Sequence, residues 1–175
     1  MKHTQTPIRA AAALFLLLFL LNGCTKQRNM DISEFCKRYN ALQNAEVLAP
    51  ENFFSEPTEA VSEYNCHMTV SENLTALLTL CVDTAGTVTA LQLTCIPEGG
   101  TYTADTFSAV YEVYTALCAV LTVQDIHTAD SAVRTAGILP ETLTFAPFGF
   151  VGETEKHRYS VFSGEQYLSL FCEQI

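Results

Sequence analysis

A chain of 175 residues, 49% of them hydrophobic and 16% charged, is the size of one domain with a substantial core, which excludes a disordered tail or a coiled coil. Nine Lys and Arg stand against nineteen Asp and Glu, a net charge of −10 with no basic run. Because phosphate neutralisation supplies most nucleic-acid affinity, that balance excludes DNA and RNA as partners.

The first 24 residues read as an address. Lys2 and Arg9 precede an unbroken apolar run of twelve residues, Ala10 to Leu21, followed by Asn22, Gly23 and Cys24. Twelve residues fall short of the roughly 20 that a spanning helix needs, whereas a positive segment, a short apolar run and a small residue make an export signal. The sequence Leu21-Asn22-Gly23-Cys24 resembles the lipobox of bacterial lipoproteins. That resemblance covers the signal alone. It implies removal of residues 1–23, diacylation of Cys24 through its sulfur, and a chain held by lipid on the extracytoplasmic side of the cell membrane. Several acyl methylenes at about 0.8 kcal/mol each make a two- or three-chain anchor effectively permanent. The competing reading is an ordinary secreted protein with Cys24 as a bystander.

Processing at that site leaves 152 residues and removes Lys2 and Arg9 but no carboxylate, so seven cations face nineteen anions, a net charge of −12. Lys26, Arg28, Lys37 and Arg38 lie beside the anchor, and no Lys or Arg occurs from Tyr39 to Val133. Basic residues next to the lipid suit anionic headgroups, at about 1 kcal/mol per charge, while the acidic body is repelled by them.

Residues 24–30 read as a short tether and 31–175 as a single acidic domain. Asp31 suits a helix N-cap with Glu34 three residues on and Met30 and Phe35 as a hydrophobic staple, and Ile32, Phe35, Cys36, Tyr39 and Leu42 fall on one helical face. Residues 43–63, with Pro50, Pro57 and five glutamates, read as an acidic connection with Phe53 and Phe54 tucked onto the core. Strand parity follows in Tyr64, Cys66, Met68 and Val70, in Leu78, Leu80 and Val82, and in Leu91, Leu93 and Cys95, with a turn at Asp83-Thr84-Ala85-Gly86. After a Gly99-Gly100 break, Thr103 caps a helix whose face is Phe107, Val110, Tyr111, Tyr114, Leu117, Cys118 and Leu121. A shorter helix is expected from about Thr128 to Gly137, then three strands near 143–151, 156–162 and 166–173. The expected fold is therefore α+β: an antiparallel sheet of five to six strands in two meanders, with two to three helices on one face. The alternative is a small barrel with flanking helices.

Beyond Cys24 six cysteines remain, and an even number outside the cytoplasm invites disulfides. Cys81 and Cys95 cannot bridge within their own hairpin, because Cys95 faces residues 74–76, well beyond disulfide reach of Cys81. Five of the six fall on the apolar parity of their elements, which favours reduced, buried thiols. With no Cys-x-x-Cys pair, a zinc or iron–sulfur site has little support and no cofactor is implied.

Two sets of residues are candidates for binding. Glu153, Glu155 and His157 would share one face of an extended strand and converge O and N ligands on a divalent ion, against the reading of a solvated turn favoured by Lys156 and Arg158. Tyr102, Tyr111 and Tyr114 would line a cleft for a peptide or glycan, against the reading of core tyrosines with hydroxyls at the rim. His67 and His127 read as ordinary polar positions. No nucleophile elbow, His-Glu-x-x-His or phosphate-cradling glycine loop is present, so no catalytic residue is assigned. The leading expectation is a non-catalytic binding or scaffolding module at the cell envelope, with a protein, peptide or glycan partner. The alternatives are a small envelope hydrolase with a dispersed site and a ligand-binding accessory lipoprotein.

Overall fold

The computed structural model describes residues 30–57, 61–71, 74–97 and 102–175. The lipobox-like segment with Cys24 and the Gly99-Gly100 break lie outside the described residues.

Helix α1 spans Ile32–Gln43, and the Asp31 side chain accepts the Glu34 N–H at 2.8 Å, as its sequence signature requires. The staple residues Met30 and Phe35 are both buried. Met30 is also tied to the sheet, its carbonyl accepting the Val88 N–H at 2.8 Å. After α1 the chain turns at Asn44, in the left-handed region with φ 50°. The Asn40 amide holds the following loop by accepting from the N–H groups of Val47 and Leu48 and donating to the Leu48 carbonyl.

The strands are β1 (Phe54–Pro57), β2 (Ser62–Ser71), β3 (Leu74–Val82), β4 (Val88–Pro97), β5 (Phe148–Glu153), β6 (His157–Gly164) and β7 (Tyr167–Gln174). They form one antiparallel sheet in the order β1-β2-β3-β4-β7-β6-β5, open at both ends. This is the expected α+β fold with one strand more than expected, and the open order excludes the barrel alternative. The additional strand is β1, which lies in the segment read as a connection. Its Pro57 lacks an N–H, which an edge strand tolerates because only one side is paired.

Helices α2 (Ala104–Thr122) and α3 (Ile126–Thr135) follow the first meander. Thr103 caps α2 with Thr106 as its reciprocal partner. Helix α3 starts earlier than expected, because Asp125 rather than a residue near Thr128 accepts the free N–H groups of His127 and Thr128, at 3.0 Å each. Between the two helices Val123 adopts φ 55°, and the axes bend by 107°. Strand β5 begins at Phe148, later than expected, since Leu143 is buried in a loop just after a 3-10 turn at Pro140–Thr142.

Leu78, Leu80, Leu91, Leu93, Val161, Leu170 and their row-mates form one buried cluster with Phe35, Tyr39, Tyr114 and Leu117 of the helices. The period of two on the strands and 3.6 on the helices therefore meet in a single core. The opposite sheet face is mixed. It carries hydrogen-bonded pairs such as Thr79 to Asn65 (2.6 Å) and Thr94 with Ser169 (3.0 Å), an edge-on Phe162–Phe171 contact, and exposed Phe54, Ile96 and Val151.

All six described cysteines are free thiols. Cys95 lies opposite Ala76 and Cys81 opposite Ala90, which confirms that those two cannot bridge. Burial pushes the Cys36 thiol up to about 11 and the Cys95 thiol up to about 12, and raises Cys66, Cys81 and Cys118 as well. Cys36, Cys66, Cys95 and Cys118 act as small core hydrophobes, while Cys81 is half-buried on the opposite sheet face; a raised thiol suits neither a nucleophile nor a metal ligand, which needs the thiolate.

Candidate functional site

The three helices do not close completely over the sheet. Where the C-terminal end of α1, the middle of α2 and the first turn of α3 approach one another, a cleft of about 460 Å³ remains. It exists because α3 leaves α2 at a steep angle after Val123, so the two helices diverge instead of running side by side.

Leu42 from α1, Val70 from the end of β2 and Ile126 from α3 give the cleft apolar walls. Leu42 and Ile126 are exposed, so these walls face solvent. Tyr111 and Thr115, one turn apart on α2, lie deeper. Thr115 is 3% exposed and its hydroxyl has no hydrogen-bond partner among the described residues. The hydroxyl is near enough to lower the Tyr111 phenol slightly, but the two make no hydrogen bond by distance and angle. An unanswered buried hydroxyl costs roughly 1–3 kcal/mol, so this atom is the most under-satisfied feature of the cleft.

The polar groups around it fall into two kinds. Tyr111 donates to Asp130 Oδ1 at 2.8 Å, and the same carboxylate pairs with Arg134 at 3.0 Å, whose guanidinium lies 5.2 Å from the Tyr111 ring centre. Burial first, then the Asp130 hydrogen bond and charge, raise the Tyr111 phenol well above its usual range and keep it a donor. That group of three fastens α3 to α2 and is complete in itself. Glu112, by contrast, is exposed on the rim and has no ion-pair or hydrogen-bond partner among the described residues. His127 is exposed and also lines the cleft.

The expected tyrosine set divides three ways. Tyr111 lines the cleft. Tyr114 is fully buried and donates to the Phe171 carbonyl at 2.6 Å, so it is a core residue joining α2 to β7. Tyr102 packs on Phe145 at 4.7 Å, in an aromatic group that also holds Phe107 and lies apart from the cleft lining. Helical spacing placed Tyr111 correctly on an inward face, but spacing carries no information about which inward position a neighbouring helix leaves uncovered.

Glu153, Glu155 and His157 are not arranged as a metal site. The shared-face argument needs a continuous strand, and the chain reverses here: Thr154 N–H donates to the His157 carbonyl at 2.8 Å, closing the β5–β6 turn. Glu153 pairs with Arg158 at 2.7 Å, and Arg158 also reaches Glu173 at 2.9 Å. Burial and the neighbouring Lys156 lower the His157 pKa, which shows an environment that disfavours added positive charge. Among the described residues no group of three His, Cys, Asp or Glu side chains is placed to hold a metal ion.

The residues that sequence reasoning did not single out are Glu112, Thr115, Asp130 and His127. For Thr115 the one signal is a hydroxyl one turn after Tyr111 beside an apolar stripe, and the sequence sets none of the other three apart. Compared with known proteins, the chain matches no family model, no curated protein and no solved structure.

Proposed function

We propose that this chain is a bacterial envelope lipoprotein, anchored by acylated Cys24, whose α+β domain binds a ligand in the cleft between α1, α2 and α3 without catalysing a reaction. The observation that carries the anchoring is the order Lys2 and Arg9, twelve apolar residues, then Leu21-Asn22-Gly23-Cys24. Among the described residues no single helix is long and apolar enough to cross a membrane. Binding rather than turnover is supported by the state of the nucleophile candidates, since burial raises five thiols and the Tyr111 phenol is committed to Asp130.

The test is to express the full chain in a bacterium and weigh the mature protein extracted from membranes. The expected product starts at Cys24 and carries a diacylglyceryl mass on its sulfur, and Cys24→Ser leaves the chain unacylated. A mature N-terminus elsewhere, or an unmodified Cys24, overturns the anchoring.

A further inference from the structure

We infer that the free edge of β5 pairs with the same edge of a second copy of this chain, antiparallel about a two-fold axis at Val151, joining two seven-stranded sheets into one. This pairing is independent of the cleft and of Cys24. The two edges of the sheet are not alike. Strand β1 is four residues long and ends in Pro57, which has no N–H to offer. Strand β5 is six residues long, Phe148-Gly149-Phe150-Val151-Gly152-Glu153, and pairs with β6 without a bulge. It carries no Lys and no Pro, so it lacks the devices that keep an edge from pairing.

The turn after β5 shows which of its main-chain groups are spare. Thr154 N–H donates to the His157 carbonyl at 2.8 Å, and hydrogen-bonded pairs alternate along an antiparallel ladder. Phe148, Phe150 and Gly152 therefore turn their main-chain groups toward Ser163, Val161 and Tyr159 of β6. Gly149, Val151 and Glu153 turn theirs outward, and all three residues are exposed. Among the described residues these outward N–H and carbonyl groups have no hydrogen-bond partner. Apolar surface lies beside them: Val151 is 51% exposed, and Phe162, 43% exposed, packs its ring over Gly149.

Any extended chain finds hydrogen bonds on such an edge, and what selects a second copy is the fit of β5 to itself. With Val151 opposite Val151, Gly149 of each copy faces Glu153 of the other, and all three outward residues are paired. Moving the register by two residues one way sets Pro147, which has no N–H, against Glu153. Moving it the other way carries Gly149 past the end of the second strand at Glu153. On the helix side the central register puts each Phe150 opposite a Gly152, a large side chain against none. On the open side Val151 meets Val151, which covers the most exposed apolar side chain of the strand. Each Glu153 faces a glycine and is held by its own Arg158 at 2.7 Å. The two Glu153 lie four residues apart, about 14 Å along the strands, beyond the screening length of about 8 Å at physiological salt. The axis is perpendicular to the sheet, so the two Met30 residues stand at opposite ends of the joined sheet, at equal height above a membrane to which that axis is normal.

The experiment uses the full chain in bacterial membranes, carrying Val151→Cys or Gly149→Cys, oxidised with copper phenanthroline and separated without reductant. Two Val151 Cα atoms stand about 5.5 Å apart in a hydrogen-bonded pair, within disulfide reach, whereas the two Gly149 stand about 14 Å apart. Val151→Cys should give a covalent dimer about fivefold above the parent chain, whose free thiols set the background, and Gly149→Cys should stay at that background. Capture at neither position, or equally at both, overturns the inference. Sedimentation equilibrium of the full chain in density-matched non-ionic detergent, with micelles in excess, supplies the second readout. The parent should form a reversible dimer, and Val151→Pro should associate about tenfold more weakly, since the symmetry removes one hydrogen bond from each copy. That variant takes away an outward N–H and none of the bonds to β6, and an edge strand admits proline, so it should unfold at the parent's temperature. A parent that is monomeric at every concentration overturns the pairing, and so does a dimer undiminished in a folded Val151→Pro chain. Should that variant unfold, the two cysteine positions decide alone.

Discussion

The two ends of α3 meet the rest of the domain in opposite ways. At its C-terminal end the fit is so close that backbone touches backbone: a Cβ on Gly152 of β5 would collide with the Ala136 carbonyl, and one on Gly137, at φ 90°, would lie 2.6 Å from the Phe150 ring. At its N-terminal end the same helix stands off from α1 and α2 and leaves about 460 Å³ with an unanswered hydroxyl. Where a structure is clamped by glycine its sequence is constrained by packing. Where it is held open, packing leaves the sequence freer to vary.

The largest effect should come from removing the clamp. Gly152→Ala forces α3 away from β5 and should cost about 3 kcal/mol in chemical denaturation, the upper range for overpacking, because the atom it meets is main chain. A cost below about 1 kcal/mol would show that the two ends of α3 are not so different. Tyr111→Phe tests the loose end. It removes the 2.8 Å bond to Asp130 and should cost about 1.5 kcal/mol, with Arg134 free to keep its carboxylate partner. The variant should also lose a pH dependence. Burial raises the Tyr111 phenol in the folded chain above its unfolded value of 10.0, so its contribution is complete below pH 10 and is lost as pH rises beyond it. Denaturation at pH 9 and at pH 11 should therefore differ less in Tyr111→Phe than in the parent.

Smaller effects lie between the two ends. Val123 is a β-branched residue in the left-handed region at the end of α2, where the Gln124 N–H returns to the Ala119 carbonyl at 2.9 Å, a position that favours glycine. Val123→Gly should stabilise the domain by about 1 kcal/mol. Should thermal unfolding instead show a loss, the bend between α2 and α3 is held by Val123 packing and not in spite of its backbone. Smallest is Thr115→Val, expected to raise the midpoint of thermal unfolding by a degree or two. A fall would mean that the hydroxyl is already satisfied.

Most of the fold was legible because local signals and burial agree. Asp31 and Thr103 announce their helices, and the parity of Cys66, Leu78, Leu93 and Leu170 assigns the buried sheet face. The register even follows from the turn at Asp83–Gly86, which puts Cys95 opposite Ala76. Strand β1 was hidden because four residues ending in Pro57 have neither alternation nor β-branched side chains, and they pair only through register with β2. The start of α3 was placed at about Thr128, three residues late, because Thr128 is itself a residue that caps helices, whereas it is the Asp125 side chain that accepts the His127 and Thr128 N–H groups. The cleft was illegible for a deeper reason. It is the space left by three helix segments, and each of those segments, read singly, is an ordinary amphipathic surface. For the Glu153–His157 stretch the turn reading that Lys156 and Arg158 favoured is the one the structure shows, because two-residue alternation does not carry across a reversal of the chain.

The bond from the Val88 N–H to the Met30 carbonyl bears on how force would pass through the molecule. If lipid on Cys24 held one side, as proposed, and a bound partner the other, tension would enter at Met30, beside β4, which has three strands on each side of it in the sheet. No edge hairpin is pulled on directly, so the sheet is loaded at its centre and resists as a unit. The element that yields is α1, stripped from its first turn once Met30 and Phe35 leave the core. Leu42, the cleft wall that α1 supplies, lies near the last turn of that helix, about 15 Å further along it. A pulled domain therefore keeps its cleft until the whole helix has come away.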